Sequence, residues 1–257
     1  MTGTATLETR ALNCSFEANR VITDVNFTLR PGERRALIGP NGAGKTTFLN
    51  LLTGRLRPSS GNILLNGEDV TELGEARRIR LGIGRTFQIT SLFPKMSVRE
   101  NVFLAVAECD GIAGNIFRSV LSHRAQLERM DELVHRVGLS DVADVQAQLL
   151  PYGRQRLLEI AIALALRPKI LLLDEPAAGI PTAESHVILD IIATVPKEIA
   201  VLLIDHDMDL VFRFAQQISV LVQGSIFLEG SPAEIAADAR VREVYLGDSK
   251  HGRPAAA

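Results

Sequence analysis

The chain opens with a hydrophobic pattern typical of β-strands. Apolar and β-branched residues nearly alternate with polar ones over residues 7–14 and 21–29. Pro31 and Gly32 then mark a turn. The first thirty residues therefore predict two half-buried strands.

The later strands are predicted from shorter and more continuous apolar runs. Two of these runs, 170–173 and 200–204, are apolar throughout, as in strands buried on both faces of a parallel sheet. The remaining predicted strands cover residues 35–38, 62–67, 218–223 and 225–229, the last two meeting at Gly224. The chain therefore contains a sheet of the kind found in α/β proteins.

Helical periodicity fills the middle of the chain. Apolar residues recur at spacings of three and four from residue 97 to about 138. The stretch 110–114 interrupts this pattern and predicts an exposed loop. Further helices are expected over 46–52 and from Pro151 to Leu166. The pattern predicts a mixed α/β core with a helical block inserted in its middle.

Composition narrows the possible function classes. Of 257 residues, 46% are hydrophobic and 23% charged, which excludes a disordered or collagen-like chain. Lys and Arg number 28 against 30 Asp and Glu, a balance that argues against a nucleic-acid binder. Cys14 and Cys109 lack metal-ligand spacing and read as buried thiols in a reducing compartment. The longest apolar stretch, 160–166, is far shorter than the roughly 20 residues of a membrane span.

Residues 39–46, Gly-Pro-Asn-Gly-Ala-Gly-Lys-Thr, fit the phosphate-loop pattern G-x-x-x-x-G-K-[ST] between a predicted strand and a predicted helix. Backbone N–H groups of such a loop surround the β-phosphate, and the helix N-terminus adds partial positive charge. Lys45 then reaches the β- and γ-phosphates, and the Thr46 hydroxyl coordinates Mg²⁺. The alternative is a glycine-rich turn with an incidental lysine. The strand and helix on either side favour a nucleoside triphosphate site.

A pair of carboxylates follows the apolar run at 170–173. Such a strand delivers Asp174 and Glu175 to the carboxyl edge of the sheet, where α/β folds bind ligands. Asp174 there is suited to hold Mg²⁺, often through water, and Glu175 to orient or deprotonate the attacking water. The alternative is an acidic strand end that caps the next helix. The phosphate loop upstream favours the catalytic interpretation.

With both motifs placed, the chain resembles the ATPase subunit of ABC transporters. Residues 150–155, Leu-Pro-Tyr-Gly-Arg-Gln, stand where that family carries the signature LSGGQ. Residues 85–88, Arg-Thr-Phe-Gln, look like its Q-loop, and His206 looks like its switch histidine. Together with Leu-Phe-Pro at 92–94 and Tyr-Leu-Gly at 245–247, these strings are similar to ATPases of branched-chain amino acid importers. Close relatives in that group serve urea and short amides.

The resemblance implies a role for each matching residue. The implied ATP-binding residues are Phe16, Gly39, Asn41, Gly42, Ala43, Gly44, Lys45, Thr46 and Thr47. The implied catalytic residues are Lys45, Gln88, Glu175 and His206, and the implied Mg²⁺ ligands are Thr46, Gln88 and Asp174. Facing the nucleotide of a second subunit would be the signature residues Tyr152, Gly153, Arg154 and Gln155. Phe16 would stack on adenine; otherwise it is simply a core residue.

Several positions depart from the family pattern. Pro151 stands at the signature serine, and proline has neither a hydroxyl nor an N–H. Tyr152 replaces the first glycine, and Arg154 replaces a glutamine, where it either adds charge to the triphosphate or points to solvent. Pro181 occupies the position of the usual D-loop aspartate. Slower or more partner-dependent turnover is the hypothesis that these changes suggest.

The resemblance implies an α/β fold: a P-loop NTPase ABC cassette with an antiparallel β-subdomain and an inserted α-helical subdomain. Residues 1–257 would form a single ABC ATPase domain, with an ATP-binding core over 1–90 and 160–257 and a helical subdomain over 91–159. ATP and Mg²⁺ are the implied cofactors.

The implied function is hydrolysis of ATP to power import of branched-chain or similar hydrophobic amino acids. The implied partners are transmembrane permease subunits, a second ABC ATPase that is a copy or a paralogue, and, indirectly, an extracytoplasmic solute-binding protein. The chain would be a peripheral protein at the cytoplasmic face of the cell (inner) membrane. Four apolar residues near the Q-loop would either dock against the permease or belong to the core: Phe87, Ile89, Leu92 and Phe93. The alternatives are a urea or short-amide importer and an ATP-binding regulatory subunit with weak turnover.

Overall fold

A computed structural model describes residues 6–17, 19–86, 92–112, 123–180, 182–241 and 243. The chain divides into two compact units, each described by itself below. The first comprises Met1–Arg78 with Ala200–Ala257, and the second comprises Ile79–Ile199.

The first unit begins with an antiparallel sheet. Its strands are β1 (Leu7–Phe16), β2 (Asn19–Leu29), β4 (Ser60–Leu65) and β5 (Glu68–Asp69), in the order β2-β1-β4-β5. The buried positions of β1 shift from Leu7 and Thr9 to Leu12 and Cys14 because its pairing with β2 is irregular between Thr9 and Leu12. Such a bulge explains why the sequence alternates only approximately.

The second sheet of this unit carries the apolar runs. β3 (Arg34–Ile38) lies between β8 (Ala200–Ile204) and β9 (Gln217–Val222), parallel to both. β10 (Ser225–Gly230) pairs antiparallel with β9. The helices of this part of the chain are α1 (Lys45–Thr53), α2 (Glu75–Arg80), α7 (Met208–Phe214) and α8 (Pro232–Ala237). Since β8 is buried along its whole length, the unbroken apolar pattern is accounted for.

The second unit is mainly helical. Two short parallel strands, β6 (Ile83–Arg85) and β7 (Ile170–Asp174), accompany α3 (Val98–Cys109), α4 (Arg124–Arg136), α5 (Tyr152–Ala165) and α6 (Thr182–Ala193). α3, α4 and α5 pack against one another. Two 3-10 turns, Ser140–Val142 and Ala147–Leu149, lead from α4 to α5. A capping box between Ser97 and Glu100 starts α3.

The predicted strands and main helices are all present. The prediction of an exposed loop over residues 110–114 is partly wrong. Residues 110–112 form a turn after α3, and residues 113–114 lie outside the described part. Asp110, however, is only 14% exposed, because its carboxylate pairs with Arg129 and Arg167. The helices α2, α6, α7 and α8 and the short strands β5 and β6 were not predicted. Within the described residues, no helix is both long enough and apolar enough to cross a bilayer.

Arg78 joins the end of α1 to the loop before α2. Its guanidinium is fully buried and donates to the backbone oxygens of Leu51, Leu52, Thr71 and Leu73 at 2.6–2.9 Å. Leu51 and Leu52 belong to the last turn of α1, whose carbonyls lack partners within the helix. Burial lowers the pKa of Arg78 to about 10, so the side chain is still charged at neutral pH. Arg78 therefore caps the C-terminus of α1.

We expect Arg78→Ala to lower the free energy of unfolding by about 3–5 kcal/mol, because it leaves several buried carbonyls without donors. Urea denaturation followed by circular dichroism measures the change. Arg77→Ala is the matched control: Arg77 is the preceding residue, is exposed, and should change the stability by less than about 0.5 kcal/mol. Equal midpoints for the two variants would contradict the capping role.

Candidate functional site

The phosphate-loop sequence connects β3 to α1. β3 ends at Ile38, and α1 begins at Lys45. Gly39 lies so close to β9 that an added Cβ would be 2.1 Å from the carbonyl oxygen of Leu221. Gly44, directly before the helix, has a φ of 102°, a left-handed conformation that favours glycine. These two glycines allow the loop to turn tightly into the N-terminus of α1.

Lys45 folds over the loop from the first position of the helix. Its Nζ donates to the backbone oxygens of Gly39 at 2.6 Å and Pro40 at 3.0 Å, and the side chain is almost wholly buried. An ammonium group is a pure donor. The geometry therefore places a positive charge inside a loop that ends at a helix N-terminus, the arrangement that binds phosphate.

The other predicted ATP-binding residues of the loop differ in exposure. Asn41, Gly42 and Thr46 are exposed, and Gly44 and Thr47 are partly buried. Ala43 is buried, its N–H donates to Pro40 at 3.2 Å, and its carbonyl oxygen accepts from the N–H of Gly224 at 3.0 Å. Ala43 thus fixes the shape of the loop, while the exposed residues face outward.

His206 leaves the sheet at the same edge as the phosphate loop. β3 and β8 run parallel with Leu37 opposite Ile204, so the residues that follow each strand emerge side by side. Asp205 accepts the N–H groups of His206 at 2.8 Å and Asp207 at 3.0 Å through one carboxylate oxygen. This turn presents the exposed His206 side chain on the edge that carries the loop.

Phe16 lies at the end of the β1–β2 hairpin, and 48% of it is exposed. The same hairpin contacts the loop, because an added Cβ on Gly44 would be 2.9 Å from the Val21 carbonyl oxygen. An exposed aromatic ring on a strand that touches the phosphate loop has the chemistry needed to stack on a base. The alternative, a core position for Phe16, does not match its exposure.

In the second unit, Asp174 ends β7 and is buried. Arg85, at the end of the neighbouring strand β6, donates from Nη2 to Asp174 Oδ2 at 3.0 Å. Both side chains are at most 5% exposed. Arg85 therefore compensates the negative charge of a carboxylate that would be costly to bury alone.

Glu175 follows in a strained backbone conformation. Its φ is +45°, a region that a residue with a side chain occupies at a cost of about 1–3 kcal/mol. The next residue is Pro176, and a residue before proline strongly prefers an extended conformation. Strain of this kind clusters at functional sites. It supports the choice of Glu175 as the reacting carboxylate.

The signature-like segment forms the start of α5. Pro151 is the N-cap residue and Tyr152 the first helical residue, with 47% of Tyr152 exposed. Gly153 is partly buried on the same first turn. Because the first N–H groups of a helix have no partner within it, this turn provides donors even though Pro151 has none.

The two remaining signature residues bond within the chain. Arg154 pairs with Asp141 of the 3-10 turn Ser140–Val142 at 2.7 Å. The side-chain amide of Gln155 donates to the Leu150 carbonyl oxygen at 2.9 Å. The ion pair holds Arg154 at the surface, where 40% of its side chain is exposed, and both alternatives for it, a contribution to triphosphate binding and a side chain that only points to solvent, stay open.

Part of the prediction falls outside the described residues: Phe87, Gln88, Ile89 and Pro181. The two described Mg²⁺ candidates fit the ion chemically, since the Thr46 hydroxyl and the Asp174 carboxylate offer the hard oxygen ligands that Mg²⁺ prefers. Among the described residues, no three His, Cys, Asp or Glu side chains form a metal-holding cluster. A bound Mg²⁺ would therefore depend on nucleotide and water oxygens as well.

Sequence reasoning missed two buried arginines near the predicted site. The sequence pattern places Arg85 in the Q-loop string without a role of its own, and it predicts no role for Arg156. Arg156 pairs with Glu159 at 2.7 Å and contacts Tyr152. For Arg156, the i, i+3 and i, i+4 spacing along α5 was the available signal; Arg85 and Asp174 are too far apart in sequence to give one.

Comparison with known proteins supports the resemblance to ABC transporter ATPases over almost the whole length of the chain. A family model described as "ABC transporter" matches residues 22–178, and one described as "Branched-chain amino acid ATP-binding cassette transporter" matches residues 226–251. The branched-chain amino acid transport ATP-binding protein LivG of Escherichia coli K12 is 38% identical over 250 residues, covering 95% of this chain and 98% of LivG. BraF of Pseudomonas aeruginosa is 38% identical over 251 residues, with the same coverage.

The solved structures agree as well. A nucleotide-free ATP-binding cassette from an ABC transporter superposes with a TM-score of 0.81 at 27% identity, covering 94% of this chain and 98% of that chain. The predicted fold class is therefore confirmed. The phosphate loop, its strand and helix, and the full-length similarity lead to one conclusion: the chain belongs to the ATP-binding cassettes of the ABC transporter family.

Proposed function

We propose that this chain is the ATP-hydrolysing subunit that powers import of branched-chain or similar hydrophobic amino acids through a membrane ABC transporter. The observation that carries the proposal is similarity to LivG and BraF across 95% of the chain. The intact phosphate loop supports the ATPase part, and the match of residues 226–251 to the branched-chain amino acid cassette model supports the solute class.

ATP binding rests on the first unit. The N–H groups of the loop and the first turn of α1 surround the β-phosphate, and Lys45 exchanges its bonds to Gly39 and Pro40 for phosphate oxygens. Thr46 offers its hydroxyl to Mg²⁺, which when bound neutralises phosphate charge. Phe16 stacks on the adenine.

Hydrolysis requires a base, and Glu175 fills that role. Its carboxylate takes a proton from water as the water oxygen bonds to the γ-phosphorus and the bond to the bridging oxygen breaks, giving ADP and phosphate. His206 donates a hydrogen bond to a γ-phosphate oxygen. Asp174 and Gln88 would hold Mg²⁺ together with Thr46. The strained αL backbone of Glu175 supports this role, because such strain is found most often at functional sites.

The proposed partners are permease subunits and a second cassette, which is a copy of this chain or a paralogue. Of the predicted docking anchors, Phe93 is 55% exposed, whereas Leu92 is buried. Beside them lies a groove of about 410 Å³ lined by Leu92, Pro94, Ala147, Gln148 and Gln155. This groove, lined by both apolar and amide side chains, offers a surface for a permease at the cytoplasmic face of the membrane. An extracytoplasmic solute-binding protein would act through the permease.

Each alternative function differs from the proposed function in one feature. A urea or short-amide importer would share the whole cassette and differ in solute alone. A regulatory subunit with weak turnover is favoured by Pro151, which caps α5 without the hydroxyl or N–H of a serine.

Solute class is tested by transport. Deleting the gene for this chain in its host should remove most energy-dependent uptake of leucine, isoleucine and valine, because the permease loses its motor. Uptake of radiolabelled amino acids measures the loss, with urea and acetamide uptake as internal controls. Loss of urea or acetamide uptake with normal leucine uptake would select the alternative importer.

The base assignment is tested by Glu175→Gln. We expect steady-state hydrolysis to fall by about a hundredfold to ten-thousandfold, because the amide cannot accept the proton, while ATP binding persists. A phosphate-release assay and equilibrium binding of a fluorescent ATP analogue measure the two effects. Glu198→Gln, the same change at an exposed glutamate, is the control. Normal turnover in Glu175→Gln would refute the role of base.

The effect of the proline is tested by Pro151→Ser. A serine at the N-cap supplies both a hydroxyl and an N–H, so turnover should rise by severalfold, about 1 kcal/mol in barrier. ATPase rates with and without reconstituted permease measure the gain. Pro31→Ser, at an exposed turn, is the control for a general effect of proline removal. Unchanged turnover in Pro151→Ser would count against a cost imposed by Pro151.

A further inference from the structure

A second groove lies within the second unit, at the opposite end of β7 from Asp174. Its volume is about 330 Å³, and α4, the end of α5 and two connecting segments form its walls. Because β7 has five residues, about 13 Å of strand separates the groove from Asp174. We call it the basic groove, after its charged lining residues: Arg129, Glu132, Arg136 and Arg167.

One wall of the basic groove is a single face of α4. Arg129, Glu132, Leu133 and Arg136 recur at helical spacing, so their side chains share that face. Glu132 and Arg136 are exposed and four residues apart. Neither forms an ion pair or a side-chain hydrogen bond with any residue that the structure describes. Both charges are therefore available to a ligand.

Arg129 holds this wall against α5. Its Nη1 donates to Asp110 Oδ1 at 3.3 Å, and its Nη2 donates to the carbonyl oxygen of Ala165, the last residue of α5. Only 18% of the Arg129 side chain is exposed. Arg129 thus fixes the geometry of the groove and adds positive charge to it.

Arg167 occupies the opposite wall in a strained conformation. Its φ is +50°, although the next residue is Pro168 and a residue before proline prefers an extended backbone. Glycine would fill this position after a helix at lower cost. Nη1 pairs with Asp110 at 3.1 Å, but 62% of the side chain is exposed, which leaves other N–H donors of the guanidinium accessible. Strain of this kind clusters at functional sites.

The remaining lining of the basic groove is apolar. It consists of Leu133, Leu164 and Pro168, which are buried, and Pro196 and Ile199, which are partly buried. Small-molecule sites combine an apolar lining with a few polar groups, at volumes from about 300 Å³ upwards. The basic groove matches that description at its small end, so it suits a ligand with a short aliphatic body.

The charges favour an anionic group on that ligand. Of the lining residues that the structure describes, three are arginines and one is an acid. A positive charge remains even when Asp110, which pairs with two of the arginines, is counted. A guanidinium matches the planar geometry of a carboxylate and can bond both of its oxygens. Glu132, as the single acid, can accept from an ammonium group.

We propose that the basic groove binds a small molecule that carries a carboxylate on a short aliphatic body. The carboxylate contacts Arg136 and Arg167, and the aliphatic body packs against Leu133 and Leu164. Apolar amino acids and their 2-oxo acids share this chemistry, and an amino acid would also place its ammonium group near Glu132. The site goes beyond the proposed function and does not depend on it.

The test is an NMR titration of the isotopically labelled full chain with L-leucine and, separately, with its 2-oxo acid. We expect saturable binding with a Kd of about 1 mM, as suits a ligand of this size in an open groove. Amide shifts should cluster at residues 129–136, 164–168 and 196–199. Alanine lacks most of the aliphatic body and leucinamide lacks the carboxylate, so each should bind more weakly than leucine.

Arginine variants locate the carboxylate. Arg136→Gln and Arg167→Gln should each weaken binding by about threefold to tenfold, because a charge-assisted hydrogen bond at a partly exposed site is lost. Arg124→Gln, in the first turn of the same helix and outside the groove, is the matched control. Since Arg136 has no partner among the described residues, its variant should keep the melting temperature of the parent, which separates ligand contact from destabilisation.

A glutamate variant distinguishes the two ligand sources. If the ligand is an amino acid, Glu132→Gln weakens leucine binding and leaves the 2-oxo acid unaffected. If the ligand is a simple carboxylate, the 2-oxo acid binds at least as tightly as leucine, and Glu132→Gln strengthens its binding by removing a like charge. Glu128→Gln, an exposed glutamate on α4 outside the groove, should match the parent in both titrations.

Three results would overturn the inference: no saturable shifts with either compound up to about 10 mM, shifts centred away from the groove, or equal affinity in the parent and both arginine variants. ATP binding and hydrolysis by the same samples report on the proposed function separately. Normal hydrolysis without binding in the groove would remove the inference alone, and binding in a chain without hydrolysis would remove the proposed function alone.

Discussion

The fixed geometry of α1 is the constraint on which nucleotide binding depends. At one end, the loop can pass β9 only because Gly39 has no Cβ to meet the Leu221 carbonyl oxygen. At the other end, Arg78 donates to the carbonyls of Leu51 and Leu52. A helix held at both ends keeps its free N–H groups aimed at one point, so little reorganisation is required when phosphate binds. Lys45, the first residue of the helix, completes the arrangement by placing its ammonium group against the loop.

Three buried arginines each stabilise a different kind of buried polar group. Arg78 satisfies backbone carbonyls, Arg85 compensates the carboxylate of Asp174, and Arg156 links Glu159 to a phenol. Two of the three contact residues for which the family resemblance implies a role at ATP. Because buried charges interact strongly with their neighbours, changes at Arg85 and Arg156 should affect the alignment of Asp174 and Tyr152 before they affect the fold as a whole.

Much of the fold could be predicted because its central strands are continuous apolar runs and its phosphate loop has a distinctive spacing. The short helices α2, α7 and α8 were missed, since six or seven residues give too little periodicity to stand out. The Arg85–Asp174 pair joins positions 89 residues apart, so no local sequence pattern predicts it. Asp110 looked like a loop residue because its arginine partners, Arg129 and Arg167, lie on later elements. The proposed domain boundaries at residues 90 and 160 and the individual site roles stay predictions.

The left-handed backbone of Glu175 creates a trade-off at one residue: the side chain proposed for catalysis lowers the stability of the folded chain. Glycine or asparagine would relax this conformation, so a chain under selection for thermal stability alone would tend to exchange the carboxylate for one of them. The resulting cassette would have a higher free energy of unfolding but would lack the carboxylate proposed to activate water. Stability-guided engineering of this ATPase should therefore hold position 175 fixed, since an apparent improvement there would remove the proposed catalytic base.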